Sequence, residues 1–389
     1  MTALPPMEVA GRIPRLRDAM AGAGCDALLV TALTNVRYLT GFTGSAGLLL
    51  VLGDAAVFVT DGRYGEQAPE QLAAAGVDAE VEITSSGQRE LLATAVAGSP
   101  RLGLEAAHVT WSDLRSYQTD WFDGVGLVPT EGLVEGLRER KDDGEVARSG
   151  AGAGGRVGGW RERKEEGEVA RVGAAPPSAG ARPAAGRPRL LDGLTEQELG
   201  LELDTEMRRR GASAPSFETI VASGPNGARP HHRPGARRIA EGDLVVLDFG
   251  ATVDGYRSDM TRTVVVGAPS DTQERMLDVV LASQAAGVAA VAPGGPCAAV
   301  DEAARAVIAD AGWADAFVHG TGHGVGLDIH EAPRVGSTSG ATLAPGHVVT
   351  VEPGVYLPPH GGVRIEDTVV VTDEGCRPLT RSPKTTTVA

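Results

Sequence analysis

Between residues 244 and 266 the chain reads LVVLDFGATVDGYRSDMTRTVVV. Leu244–Phe249 and Arg262–Val266 are predicted as two strands, because each is a short apolar run rich in β-branched residues. Asp254-Gly255 between them has the composition of a tight hairpin turn. Asp248 closes the first apolar run, so its carboxylate is predicted to be buried, which is costly unless the charge is paired or coordinated. Asp259 lies eleven residues further on, and a hairpin would bring both acids onto neighbouring strands. A plainer reading has Asp248 capping a turn and Asp259 paired with Arg257 or Arg262.

The arrangement recurs near the C-terminus. Val348–Val351 leads into Glu352-Pro353-Gly354, and Val363-Arg364-Ile365-Glu366-Asp367 follows a turn at His360-Gly361-Gly362. Taken alone, Glu366 is open to pairing with Arg364. Four carboxylates within apolar strands, however, are hard to account for without cations. His323, in the glycine-rich run HGTGHGVG (319–326), completes the set, since glycines permit close backbone approach. Five of the eight histidines (His231, His232, His319, His323, His330) fall in the same region as the acids. Four carboxylates and one neutral imidazole carry a charge of −4, which two divalent cations balance. An oxygen-rich set with one nitrogen suits manganese or cobalt better than copper, and it lacks the thiolates of a structural zinc site.

Composition narrows the partners. With 51 acidic against 36 basic residues the net charge is −15, which disfavours nucleic acid and anionic membrane. Three cysteines without a CxxC pair argue against a disulfide framework and fit a reducing compartment. No apolar run is long enough to span a bilayer. The opening MTALPPME lacks a basic stretch ahead of an apolar core, which predicts no signal peptide and a cytoplasmic location.

Along the chain, residues 1–135 alternate helical and strand signals, as an α/β domain does. Arg12–Ala23, Pro69–Ala75 and Gln88–Ala97 read as helices; Ala27–Val30, Gly47–Leu52, Ala56–Thr60 and Arg101–Leu104 read as strands. Residues 136–192 read as an irregular linker holding a duplication: RERKDDGEVAR (138–148) returns as RERKEEGEVAR (161–171). Both copies run into Gly-, Ala- and Pro-rich sequence, which opposes a long helix and predicts at most two short charged ones. Order resumes in 193–389. There Thr195-Glu196-Gln197-Glu198 is a capping-box start, Asp271–Ala292 and Ala298–Ala311 read as helices, and strands dominate after Val348.

Taken in order, LDFG with Asp248, SDMTR with Asp259, HGTGHGVG with His323, VEPG with Glu352 and RIED with Glu366 resemble the Xaa-Pro peptidase group of the pita-bread metallopeptidases, which includes aminopeptidase P and prolidase. NVRYLTGFTGSAG and VTDGRY in the first part resemble the smaller creatinase-type N-terminal domain. The resemblance implies an α/β creatinase-like domain followed by an α+β pita-bread catalytic domain. It implies cleavage of the bond before proline, in dipeptides or at peptide N-termini, by a hydroxide between two metals. Mn²⁺ leads among these metals, with Co²⁺ and Zn²⁺ as alternatives. Asp248 would hold one metal, His323 and Glu352 mainly the other, with Asp259 and Glu366 bridging. Glu352 would also handle the proton of the attacking water. His231 and His330 match histidines that reach the scissile peptide, His319 a position beside the substrate, and Arg364 a support for the bridging acids. A homodimer or larger assembly is implied as well. The family's continuous helix opening the second domain is expected to be missing, because both copies of the duplication lose their apolar stripe. Two other readings remain on the same fold: a metal-free creatinase-like amidinohydrolase, which normally lacks the full ligand set, and a non-catalytic binding protein.

Overall fold

The computed structural model describes residues 4–152, 193–384 and 387–388. It divides into two compact units, Pro6–Arg138 and Glu139–Ala389 together with Met1–Pro5.

In the first unit, helices α1 (Arg12–Gly22), α2 (Leu33–Thr40), α3 (Gln67–Ala74), α4 (Gln88–Ala95), α5 (Trp111–Ser116) and α6 (Leu133–Arg138) accompany one sheet. Its strands are β1 (Ala27–Val30), β2 (Leu48–Leu52), β3 (Ala56–Thr60), β4 (Glu80–Ile83), β5 (Arg101–Glu105) and β6 (Gly126–Thr130), in the order β4-β3-β2-β1-β5-β6. The central strand β1 is buried throughout, and Leu29, Leu50, Val59, Leu102 and Leu104 form the core on one face. This is the α/β pattern expected from the alternating signals.

The second unit begins inside the stretch read as an irregular linker, and that reading is corrected for residues 139–152. Arg140 makes a β-bridge with His347, and α7 (Asp143–Gly150) opens on a capping box between Asp142 and Glu145. Val146 packs with Val325, Val348, Val370 and Leu379, so a seat built by distant residues supplies the apolar partners that local sequence lacks. The second copy of the duplication (161–171) lies outside the described residues.

α8 (Glu196–Arg209) starts at the expected capping box, with Glu198 N donating to Thr195 Oγ1 at 3.1 Å and Thr195 N to Glu198 Oε2 at 2.7 Å. β7 (Ala214–Pro215), β8 (Ile220–Ser223), β9 (Leu244–Phe249), β10 (Ala251–Val253), β11 (Tyr256–Arg257) and β12 (Met260–Val266) follow. Next come α9 (Asp271–Ala290) and α10 (Cys297–Asp310), then β13 (Gly322–Gly324), β14 (Glu331–Val335), β15 (Val348–Val351), β16 (Gly354–Leu357), β17 (Gly361–Arg364), β18 (Asp367–Thr372), β19 (Gly375–Pro378) and β20 (Thr387–Val388).

The hairpin predicted over 244–266 is present but broken. Its turn, Asp254 (φ 47°) and Gly255 (φ 81°), has the two positive φ values of a type I′ turn. Past Gly250 the chain leaves the sheet of β9 and β12, and the tip strands β10 and β11 join β7 in another sheet. Gly250 sits where a Cβ would lie 1.9 Å from Ser258 O, so only glycine allows the two arms to cross there. Met260 pairs with Phe249 and Thr261 with Asp248, which leaves Asp259 in the break rather than on a strand. The second hairpin repeats the design: β15 pairs with β18, β16 with β17, and Glu352 and Glu366 occupy the two breaks between them.

Candidate active site

Asp248 is delivered by β9, and Asp259, Glu352 and Glu366 by the breaks between strands. Leu244, Val245 and Val246 are at most 2% exposed. Burying such side chains gains about 1.5–3 kcal/mol apiece, which together outweighs the several kcal/mol needed to desolvate one carboxylate. Asp248 is thus carried inside by its neighbours, and the same holds for Glu366 beside Val363 and Ile365.

Asp248, Asp259 and Glu366 each place an oxygen within 4.8 Å of the others. His323 links them to Glu352, its Nε2 standing 3.6 Å from Asp259 Oδ2 and 3.3 Å from Glu352 Oε1. Its Nδ1 lies 3.0 Å from Gly324 O, which turns Nε2 toward the acids. The five residues therefore form one connected cluster, Asp248, Asp259 and Glu366 at its centre and Glu352 joined through His323, although they come from breaks and strands far apart in the chain. The plainer pairings do not occur: Arg262 binds Asp367 (2.8 Å), Arg257 binds the carbonyls of Leu327 and Ser216, and Arg364 reaches Asp248 at 2.6 Å.

The electrostatics of this cluster call for cations. Burial, reinforced by the charges of Glu366, Asp248 and Glu352, pushes Asp259 well above the usual carboxylate range. Burial and the charges of Glu352 and Asp248 do the same to Glu366. Asp248 is raised too, burial outweighing the guanidinium of Arg364. Burial also opposes the charge of Glu352, but His323 holds it down at about 2. Asp248 Oδ1 and Glu366 Oε1 are buried with no hydrogen-bond partner among the described residues. Two lone carboxylate oxygens beside acids that resist ionisation fit divalent cations, which would satisfy the oxygens and restore the charges.

Beside the cluster lies a cavity of about 610 Å³ lined by His231, His319, His330, Arg334 and Arg364 as well as Asp248, Asp259 and Glu352. His330 packs edge-on to His323 with ring centroids 4.4 Å apart. His319 reaches Tyr356 Oη through Nε2 (2.8 Å), and Arg364 donates to the same hydroxyl at 2.8 Å. Burial holds both His319 and His330 below the ordinary imidazole value, so each is poised as a neutral ring. Of the residues predicted for the site, His231, Asp248, Asp259, His319, His323, His330, Glu352 and Arg364 border this space, while Glu366 lies behind it against Asp248 and Asp259.

Several supporting residues escaped the sequence reading. Tyr356 ties His319 to Arg364; Thr261 Oγ1 donates to Glu366 (2.7 Å); Thr350 Oγ1 donates to Glu352 (3.1 Å). Asp301, on α10, accepts from Thr321 N and Oγ1, while Thr321 O receives Glu352 N at 2.8 Å. The alternation of β12 and β15 offered a signal for the threonines, being polar residues in otherwise apolar strands. Asp301 offered none, because an acid paired with Arg305 four residues on looks like an ordinary helix-surface pair.

Comparison with known proteins agrees with this geometry. Residues 177–373 match metallopeptidase family M24 and residues 12–140 match the creatinase/prolidase N-terminal domain. The chain is 40% identical over 380 residues to the uncharacterized peptidase YqhT of Bacillus subtilis, covering 96% of this chain and 98% of that protein. It is 44% identical over 195 residues to the Xaa-Pro dipeptidase of Pyrococcus furiosus, spanning 50% of this chain and 56% of that one. Among solved structures, an Xaa-Pro dipeptidase from Bacillus anthracis superposes with a TM-score of 0.87 at 38% identity, over 97% of this chain and 99% of its own. The prolidase of Pyrococcus furiosus does so with a TM-score of 0.80 at 30% identity, over 94% and 99%. The fold and site define a pita-bread metallopeptidase behind a creatinase-type domain. The chain belongs to metallopeptidase family M24.

Proposed function

We propose that this protein is a two-metal peptidase that hydrolyses the Xaa-Pro bond of dipeptides or of peptide N-termini. The observation that carries this is the joining of Asp248, Asp259, His323, Glu352 and Glu366 in one cluster, with two oxygens there lacking a hydrogen-bond partner among the described residues. The names borne by the Pyrococcus and Bacillus relatives support the choice of substrate.

In this reading Asp248 would hold one cation and His323 and Glu352 the other, with Asp259 and Glu366 available to both. The two cations, manganese before cobalt or zinc, would supply a water acidified toward neutrality and a polarised carbonyl. Glu352 would take up the proton of the attacking water. His231 and His330 meet the scissile carbonyl, where donors aimed at developing charge have most effect. Arg364 keeps Asp248 oriented and favours its charged form against the cost of burial. A cavity of about 610 Å³ is large enough for a short peptide. The bond before proline lacks an N–H, so a site that works through cations and histidines suits it better than a cleft that grips that hydrogen. The protein works in the cytoplasm as a homodimer or larger assembly, which sedimentation of the purified protein tests.

The decisive experiment incubates purified protein with Mn²⁺ and either Ala-Pro or a longer Xaa-Pro peptide, with and without a chelator. Release of the residue before proline, lost on chelation, is expected. Cleavage that continued in the chelator would sink the two-metal reading and favour a metal-free amidinohydrolase, which metal analysis would then corroborate.

A further inference from the structure

His231 lies in the loop SGPNGARPHHRPG (223–235), rich in glycine and proline, with no regular structure past its first helical turn. Such a segment has little of its own to fix a side chain over a cavity. What fixes it is Glu196, at the start of α8. Its carboxylate is fully buried and accepts from both ends of the loop. At the near end Oε1 receives Ser223 N (2.8 Å), Ser223 Oγ (2.7 Å) and Asn226 Nδ2 (3.0 Å). At the far end Oε2 receives His232 Nε2 (2.8 Å) and Gly235 N (3.1 Å). Arg237 is drawn in through Ser223 Oγ at 2.6 Å. Between the two ends, Arg364 donates to Pro230 O at 3.2 Å, directly before His231. Both neighbouring histidines line the cavity, and His232 also closes the clamp on Glu196, which leaves His231 next to a fixed point.

We propose that Glu196 is a positioning residue for the peptidase reaction: it staples the 223–235 loop shut and so sets the reach of His231 toward the bond being cleaved. An apolar residue in its place would leave the donors of both loop ends buried and unsatisfied, so the carboxylate is what holds the two ends together. Five donor groups of one loop gathered on a single carboxylate suit a part whose task is precision, because small misplacements of a reacting group cost large factors in rate. The inference rests on the Xaa-Pro peptidase reading, and two measurements keep their failures apart.

The first compares Glu196→Gln and Glu196→Asp with the unmodified chain, each also in a His231→Ala background, using Mn²⁺-loaded protein and Ala-Pro. Glu196→Gln keeps the shape but turns one acceptor oxygen into a donor facing donors. It is expected to lower kcat roughly tenfold or more, with KM and bound metal little changed. In the His231→Ala background the same change is expected to cost less than about twofold, because the residue it positions is already gone. Glu196→Asp keeps the charge with a shorter reach, and should fall between the two if Glu196→Gln does not fold. An equal loss in both backgrounds, or bound metal falling in step with rate, overturns the proposal.

The second measurement needs no turnover. In histidine-ring NMR of the zinc-loaded protein, the signal absent from His231→Ala should shift in Glu196→Asp or Glu196→Gln, while those of His319 and His330 hold. If the chain fails to cleave Ala-Pro, the peptidase reading falls while this spectrum still judges the clamp. If the His231 signal stays in place, the clamp falls whatever the substrate.

Discussion

Arg364 shows how much one side chain can organise. Its guanidinium reaches Asp248, Tyr356, Thr261 and the carbonyl of Pro230, with its three nitrogens aimed in fixed directions. Lysine keeps the charge and loses the planar fork. Arg364→Lys is therefore expected to lower kcat/KM by roughly ten- to a hundredfold and to weaken metal binding, measured by kinetics and metal titration. Asp259→Ala or His323→Ala should abolish turnover outright and leave less than the full complement of metal, read by elemental analysis. A different histidine governs pH. His347 is buried, its Nδ1 accepts from Ala344 N at 3.3 Å, and burial with Lys141 and Arg140 nearby lowers it from 6.5 to about 4. The unfolded chain takes up this proton near pH 6.5 while the folded one refuses it until about 4. Stability is accordingly lost as pH falls through that window, by up to about 3 kcal/mol. His347→Gln should flatten the decline in unfolding midpoint between pH 7 and 4.5; an unchanged slope would refute the assignment.

At the level of elements, the apolar strands beside the acids were legible, while their interruptions and shorter strands such as β8 and β13 were not. Leu244–Phe249 declares itself by a continuous apolar run, and its observed bounds match that run. Nothing local says that the hairpin changes sheets at Gly250, because the obstacle is the carbonyl of Ser258 arriving from the returning arm. Gly250→Ala should cost about 1–3 kcal/mol or more and shift the acids, detectable as a lower unfolding midpoint with reduced metal binding. The first copy of the duplication was misread for a related reason. Val146 is a lone apolar residue within DGEVARSG, and its partners Val325, Val348 and Val370 lie far along the chain. Glu145 is held by Tyr256 Oη (2.6 Å), and Lys141 pairs with Glu331 (3.1 Å), their side chains 1% and 7% exposed. Removing one member of a buried pair strands the other, so Lys141→Met should destabilise by about 3–5 kcal/mol, and adding Glu331→Gln should recover part of it. The candidate site itself was more legible than its scaffold. Acids inside apolar strands violate the usual hydrophobic logic locally, whereas Glu196, Asp301 and Tyr356 do their work through contacts that only folding creates.

Over the whole molecule, the catalytic unit holds a concentration of negative charge that its own residues only partly offset. Cations that bind the folded form alone should stabilise it by about 2.7 kcal/mol at a hundred times their dissociation constant. Calorimetry with and without a chelator should show the unfolding midpoint falling on metal removal, and a midpoint indifferent to metal would contradict the site as described. The broken ladders carry one more consequence, for quality control during folding. β9 and β15 are buried on both faces. A hairpin docked one residue out of step would still bury its valines, yet it would swing its acids away from the opposing pair. Oil-drop collapse cannot tell these two alignments apart, but a divalent cation could, since it would be held best when the opposing carboxylates arrive together. A metal bound there would thereby serve as proofreader of a core that would otherwise accept an error in spelling.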